Sequence, residues 1–245
     1  MLLDALKDIV KHTHSLGFIE MVKLIGTPTD LKMETMDADK SVIIYGSMYQ
    51  PEVGIESTIG LSRLALLKGS IDLNESSTVS IVTETRLGEV VPTEILFLEP
   101  DGSTANYRFV SEAMISEQVK VPTFKGAVWD VVFAPSAVSI ANFAKQYGVY
   151  GAFEKRFIVS VDAKGTVKFS IGNGPTDRKV MNFAAGVTGT LKHQWTYPLS
   201  QVLAILKLTD TASTSTMHFS DGGALKIEID SGIGKYTYIL PAGKA

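Results

Sequence analysis

The sequence contains no cysteine, which removes disulfides, thiol catalysis and thiolate metal sites together. No apolar run reaches about 18 residues, so nothing in the pattern predicts a membrane-spanning helix. The opening Met1-Leu2-Leu3-Asp4 soon mixes charge with apolar residues and lacks the basic region and apolar block of a secretory signal. A cytoplasmic location and no membrane partner are the resulting expectations. Positive charge is not in excess either: 23 Lys and Arg face 26 Asp and Glu, for a net charge of −3. That balance argues against a uniformly basic nucleic-acid binder but leaves open a local basic face, because only the local potential attracts phosphate.

Catalytic signals are equally scarce. His12 and His14 are two apart, so on a helix they point about 200° apart and cannot share a metal; solvated or phosphate-facing histidines are the expected reading. His193 and His218 each stand alone in strand-like context and read as structural. Asp37 and Asp39 lack the further acidic ligands of a hard-cation loop. Gly172-Asn173-Gly174 lacks the third glycine and following helix of a dinucleotide site, so it reads as a hairpin turn. There is no Ser-His-Asp context and no phosphate-binding loop. We assign no catalytic residue, no metal and no cofactor.

What is present is an ordinary globular composition, 45% hydrophobic and 20% charged, arranged as a duplication. Leu64-Ala65-Leu66-Leu67-Lys68 and Leu203-Ala204-Ile205-Leu206-Lys207 lie 139 residues apart. Each falls in an apolar helical stretch between strand-rich segments. Five matching residues in leucine-rich stretches are weak by themselves; the matched order of elements carries the argument. Leu2, Leu6, Ile9, Val10, Thr13 and Leu16 make one helical stripe, with Asp4, Lys7, Asp8, Lys11, His12 and His14 opposite and Gly17 as the stop. Strands are predicted at 18–25, 31–36 and 41–48, a second helix at 55–69, and strands at 79–84, 93–98 and 104–110. Pro100-Asp101-Gly102 marks a turn.

Residues 111–125 lose periodicity, and Pro122 discourages a central strand there. The expected domains are therefore 1–112 and 126–245, joined by a connector at 113–125. In the second half a strand-rich run at 126–134 leads into a helix at 136–147, which Ser136 caps. Strands are predicted at 153–162, 166–171, 178–184 and 188–195. A last helix covers 198–208 with Pro198 in its first turn. A meander at 217–220, 224–230 and 235–240 closes the chain. The fold class is α+β, with strand outweighing helix.

Particular residues in this order resemble the DNA sliding clamps, the polymerase processivity factors. Gly60 to Lys68 looks like the second inner helix of a clamp's first domain. Asp221-Gly222-Gly223-Ala224-Leu225-Lys226-Ile227 is similar to a clamp hairpin, and Tyr236-Thr237-Tyr238-Ile239-Leu240-Pro241-Ala242 to the last strand and its tail. Length and the cysteine-free chain look most like tailed-phage clamps. The resemblance implies two tandem clamp-type domains, each with two helices packed on antiparallel sheets. With six such domains in a ring, it implies a homotrimer encircling double-stranded DNA without sequence preference. The implied partners are a replicative DNA polymerase and an ATP-dependent clamp loader.

The DNA-facing candidates are Lys7, Lys11, His14, Arg63, Lys68, Asn142, Lys145, Gln146, Gln201 and Lys207. A partner-peptide pocket is expected at Val53, Ile55, Leu240, Pro241 and Ala242, with Pro241 starting a surface tail. The competing expectations are a β-rich virion or tail component with a duplicated assembly module, and a small-ligand hydrolase. The structural-protein reading predicts helix faces that are buried or evenly mixed in charge; the hydrolase needs a convergent titratable cluster.

Overall fold

A computed structural model describes residues 2–52, 54–86, 88–172, 177–210 and 213–244. By packing, the chain divides into two compact units: Met1–Pro122 with Ser231–Tyr236, and Thr123–Asp230 with Thr237–Ala245.

The first unit opens with helix α1, Leu2–His12, which buries Ala5, Leu6, Ile9 and Val10 along one stripe. Asp4 in its first turn and Lys11 and His12 in its last complement the helix dipole. The helix stops short of the expected Leu16. The Thr13 hydroxyl donates back to the Ile9 carbonyl at 2.6 Å, and a 3-10 turn, His14–Leu16, takes over. Gly17, at φ 81°, then closes it by donating its N–H to the His14 carbonyl at 3.0 Å. Strands β1 (Val22–Gly26), β2 (Leu31–Met36), β3 (Ile43–Met48) and β4 (Thr58–Leu61) form an antiparallel sheet in the order β4-β1-β2-β3.

Helix α2 is Leu64–Leu73, not 55–69. Ile59 and Leu61, read from the sequence as helix-face residues, are strand residues paired with Leu24 and Val22 of β1. Gly60 permits close packing on this strand: a Cβ there would sit 2.7 Å from the Ile115 side chain, and its backbone exchanges hydrogen bonds with Val110 at 2.8 and 2.9 Å. Arg63, in the left-handed region at φ 51°, turns the chain into the helix. Strands β5 (Thr78–Arg86), β6 (Glu89–Leu98) and β7 (Thr104–Arg108) make the second sheet. Pro92 is accommodated in β6 where the pairing slips between Val82 and Thr83. The aperiodic stretch after β7 contains a short helix, α3 (Glu112–Gln118), whose one buried side chain among the described residues is Ile115.

In the second unit, β8 (Val131–Phe133) is all that forms of the strand-rich run expected at 126–134. Helix α4 (Ala137–Tyr150) begins at Ser136, whose hydroxyl accepts the Ser139 N–H at 3.1 Å. Strands β9 (Arg156–Val161), β10 (Val167–Ile171), β11 (Lys179–Ala184) and β12 (Trp195–Pro198) follow, then α5 (Leu199–Leu206). The strand expected at 188–195 is absent. Gly186 and Gly189 adopt φ of 70° and 100°, and the Asp130 carbonyl occupies the place of a Cβ on Gly189. Asn173, Gly174 and Pro175 of the expected turn lie outside the described residues. Strands β13 (Thr214–Ser220), β14 (Ala224–Asp230), β15 (Gly234–Pro241) and β16 (Gly243–Lys244) complete the chain.

The duplication is explicit in the topology. The first unit's β4-β1-β2-β3 matches β12-β9-β10-β11 of the second strand for strand, and β5-β6-β7 matches β13-β14-β15. Each unit packs its two long helices together, α1 on α2 and α4 on α5. The repeated pentapeptide is not in structural register. Leu64 starts α2, whereas Leu203 is the fifth residue of α5.

Candidate nucleic-acid interface

Helical periodicity places one face of each helix on the sheets and leaves the other to solvent. All ten residues expected to face DNA retain exposure. Lys7, Lys11 and His14 are half-exposed along α1 and the turn after it; Arg63 is exposed at the entry to α2, and Lys68 is exposed on it. Asn142 and Lys145 are exposed on α4, Gln146 and Gln201 are half-exposed, and Lys207 is exposed at the C-cap of α5. His14 and Arg63 meet along a shallow groove of about 490 Å³ with Phe18 and Leu64.

Charge is distributed unevenly over these faces. Lys7 pairs with Glu75 just beyond α2, Nζ to Oε1 at 3.0 Å. Lys68 pairs with Asp72 one turn along α2. By contrast α4 and α5 contain no aspartate or glutamate.

Two of the expected polar-face residues are interior. Asp8 and His12 are both buried. Asp8 Oδ2 accepts from the Tyr236 hydroxyl at 2.7 Å and from Ser231 at 2.8 Å, and His12 stacks on the Tyr236 ring at 3.8 Å between centroids. The expectation that His12, like His14, faces solvent or phosphate is therefore overturned for His12. The i,i+4 spacing of Asp8 and His12 beside the apolar stripe was the available signal.

The peptide-pocket residues are also corrected in part. Ile55 is buried in the first unit and Leu240 in the second, each with 1% exposure or less, so neither lines an open pocket. Val53 lies outside the described residues. Pro241 is exposed and Ala242 half-exposed, but the segment is not a loose tail. Ala242 donates its N–H to Gly223 at 3.0 Å, and β16 pairs with β12, Thr196 opposite Gly243. Arg156 stabilises that junction, donating to the Thr196 hydroxyl at 2.8 Å and its carbonyl at 2.6 Å.

Several other titratable groups hold turns and strands. Tyr107 donates its hydroxyl to the Ser62 carbonyl ahead of α2, and burial pushes its pKa up to about 12. In the hairpin beginning at Asp221, that carboxylate accepts the backbone N–H groups of His193 and Lys192 at 2.8 and 2.7 Å and faces the His193 ring at 3.0 Å. Hydrogen bonding, first from His193, lowers its pKa. Asp162 is lowered further by the Thr166 N–H, Lys168 and the Lys164 N–H. His218 faces Glu228 at 2.9 Å and the edge of the Trp129 ring.

Because both folded-state pKa values lie below the unfolded value of about 4, each carboxylate adds stability above that pH. That contribution disappears as pH falls through the folded values. Asp162→Asn with Asp221→Asn is therefore expected to lower the melting temperature at pH 7, with a difference from the parent that shrinks below about pH 4. A difference independent of pH between 2 and 7 would show that charge on these groups is immaterial.

Among the described residues, no cluster of three His, Asp or Glu side chains is placed to hold a metal ion. No helix there is long and apolar enough to cross a membrane. No protein-family model matches the sequence, and no curated protein matches it. Solved structures do match. The PCNA of A. fulgidus, in a structure with the C-terminal region of FEN-1 bound, superposes with a TM-score of 0.70 at 13% identity, covering 99% of this chain and 96% of that one. The Proliferating Cellular Nuclear Antigen of Entamoeba histolytica gives 0.71 at 13% identity, covering 97% and 94%. At such identity the likeness establishes architecture alone: along nearly its whole length, this chain has the fold of the PCNA-type sliding clamps.

Proposed function

We propose that the protein is a sliding clamp, a tether without a reaction of its own, that encircles double-stranded DNA and holds a replicative DNA polymerase to it. The observation that supports this most is the duplicated unit, two packed helices and two antiparallel sheets, matched over the full chain to PCNA-type clamps. In this reading residues 1–112 and 126–245 are the two clamp domains and 113–125 connects them. Three chains close a six-domain ring, which also hides the open sheet edges. An ATP-dependent loader opens it. A tailed-phage origin and action in the host cytoplasm belong to the same reading.

The exposed helix faces then meet phosphates without reading bases, so no register on the duplex is preferred and the ring slides. The A. fulgidus PCNA is solved with a segment of a partner bound. By analogy a partner peptide docks here beside Pro241 and Ala242, the surface members of the expected pocket. The structural-protein alternative predicts helix faces buried or evenly mixed in charge. The solvent-accessible positions of the second unit's helices, free of carboxylates, fit that poorly, whereas the paired charges of the first unit do not separate the two readings.

With polymerase, loader and ATP from the same organism, the protein is expected to stay on circular DNA and to leave once the circle is cut. In solution it is expected to have the native mass of three chains. Equal dissociation from circular and linear DNA would remove topological linkage, and with it the clamp reading.

A further inference from the structure

We infer that the DNA contact is divided unequally between the two units. Lys145 and Lys207 of the second unit carry the larger share of the attraction, with Arg63 contributing from the first, while Glu75 and Asp72 of the first hold Lys7 and Lys68 out of it. This rests on the clamp reading and concerns how strongly each helix grips the duplex.

The geometry makes the distinction. A lysine whose ammonium is already paired presents little net field to a phosphate at a distance, and it must break its pair to reach one. Lys7 meets Glu75 at 3.0 Å, and Lys68 meets Asp72 at the i,i+4 position of α2. Lys145 has Ala141, Asn142, Gly148 and Val149 at its i±4 and i±3 positions, so no carboxylate on α4 can reach it. Lys207 caps α5, which also lacks carboxylates. Among the described residues neither lysine has an ion-pair partner. Arg63 is the first unit's exposed exception, at the mouth of α2.

The consequence is an attenuated grip. Each phosphate neutralised contributes roughly 0.9 to the slope of log affinity against log salt. A lining with fewer unopposed cations holds the duplex weakly at physiological salt, which suits sliding. The two acidic residues then act as brakes on adhesion, and removing them is expected to strengthen binding.

The test is fluorescence anisotropy of a labelled, sequence-random duplex titrated with full-length protein across a range of sodium chloride, with melting curves for each variant. Lys145→Gln with Lys207→Gln is expected to weaken binding several-fold at the lowest salt and to flatten the slope by roughly 0.9 for each phosphate no longer neutralised. Glu75→Gln with Asp72→Asn is expected to tighten binding and steepen the slope as Lys7 and Lys68 are released. An unchanged slope in either double variant, with the fold intact by melting, overturns the unequal division. If unaltered protein shows no salt-dependent affinity and no retention on circular DNA, the clamp reading itself falls. Normal retention with unchanged slopes defeats only the division.

Discussion

Phe143→Ala is expected to detach α4 from the second unit at a cost of about 3–5 kcal/mol, the range for removing a buried phenyl group. Phe143 is the one buried side chain of α4 among the described residues. It enters a cluster of aromatic rings, 5.2 Å from Phe157, 5.4 Å from Phe169 and 6.0 Å from Phe183 between centroids. Phe169 and Phe183 are themselves stacked at 4.0 Å. Elsewhere on α4 Ile140, Tyr147 and Tyr150 are half-buried, and Ala141, Asn142, Lys145, Gly148 and Val149 are exposed. Cutting Phe143 back removes the deepest anchor of this 14-residue helix and leaves it to its packing on α5. Denaturant unfolding gives the cost, and amide exchange shows where it falls: α4 amides are expected to lose protection before those of β9 and β10. Full protection of α4, with a destabilisation below about 1 kcal/mol, would mean that the helix is held by its packing on α5 instead. Lys145 rides on α4, so the same variant is expected to weaken the duplex affinity that depends on that lysine.

The sequence made some elements legible and others not, and the difference is physical. Where alternation was strong and turns were marked by glycine, aspartate or proline, the expected bounds agree closely with the observed ones. Leu31–Met36 and Ala224–Asp230 appear as expected, as does the Pro100-Asp101-Gly102 turn, in which Glu99 and Ser103 bond across at 2.8 Å. The stretch from Ile55 failed because its apolar spacing suits a helix, while the partner that claims it, β1, lies more than 30 residues upstream. Apolar spacing alone does not separate a short buried strand from a helix segment. The pentapeptide repeat pointed to a true duplication from residues that are out of structural register.

The candidate interface was legible as faces and not as charges. Period alone put Lys7, Lys11, Lys68, Lys145 and Lys207 on solvent-accessible positions. It did not foresee that Glu75 would meet Lys7, since that pairing is made by α2 folding against α1. The same non-locality hid Asp8 and His12, whose polarity suggested an outer face until Tyr236 was brought to them. It also hid β16: Pro241 is expected to start a surface tail, and the residues after it, at the surface, pair as a strand. Gly243 and Lys244 are there held opposite Thr196 and Trp195.

Asp8→Ala is expected to destabilise the first unit by about 1–3 kcal/mol, because truncation takes the acceptor from the buried Tyr236 hydroxyl, a loss that costs roughly 1–3 kcal/mol, while Ser231 keeps the Gly234 carbonyl at 3.0 Å. The carboxylate is buried, with its Oδ2 receiving hydrogen bonds from Tyr236 at 2.7 Å and Ser231 at 2.8 Å, and its Oδ1 lies 3.7 Å from His12 Nε2. Truncation also leaves a void beneath the His12–Tyr236 stack, the packing that ties α1 to the far end of the chain. Asp8→Asn keeps a carbonyl oxygen as acceptor and the side chain's volume, so it is expected to recover part of the stability. Asp4→Ala, one turn earlier and exposed, supplies the comparison and is expected to stay within about 0.5 kcal/mol of the parent. Equilibrium denaturation of the three variants ranks them. If Asp8→Ala proves as stable as Asp4→Ala, the buried cluster contributes nothing net, and α1 is held by Leu6, Ile9 and Val10 alone. If the ranking follows the hydrogen bonds, the polar cluster fixes the orientation of α1 as well as its stability. The direction in which Lys11 and His14 point then depends on an aspartate that the sequence pattern had placed on the surface.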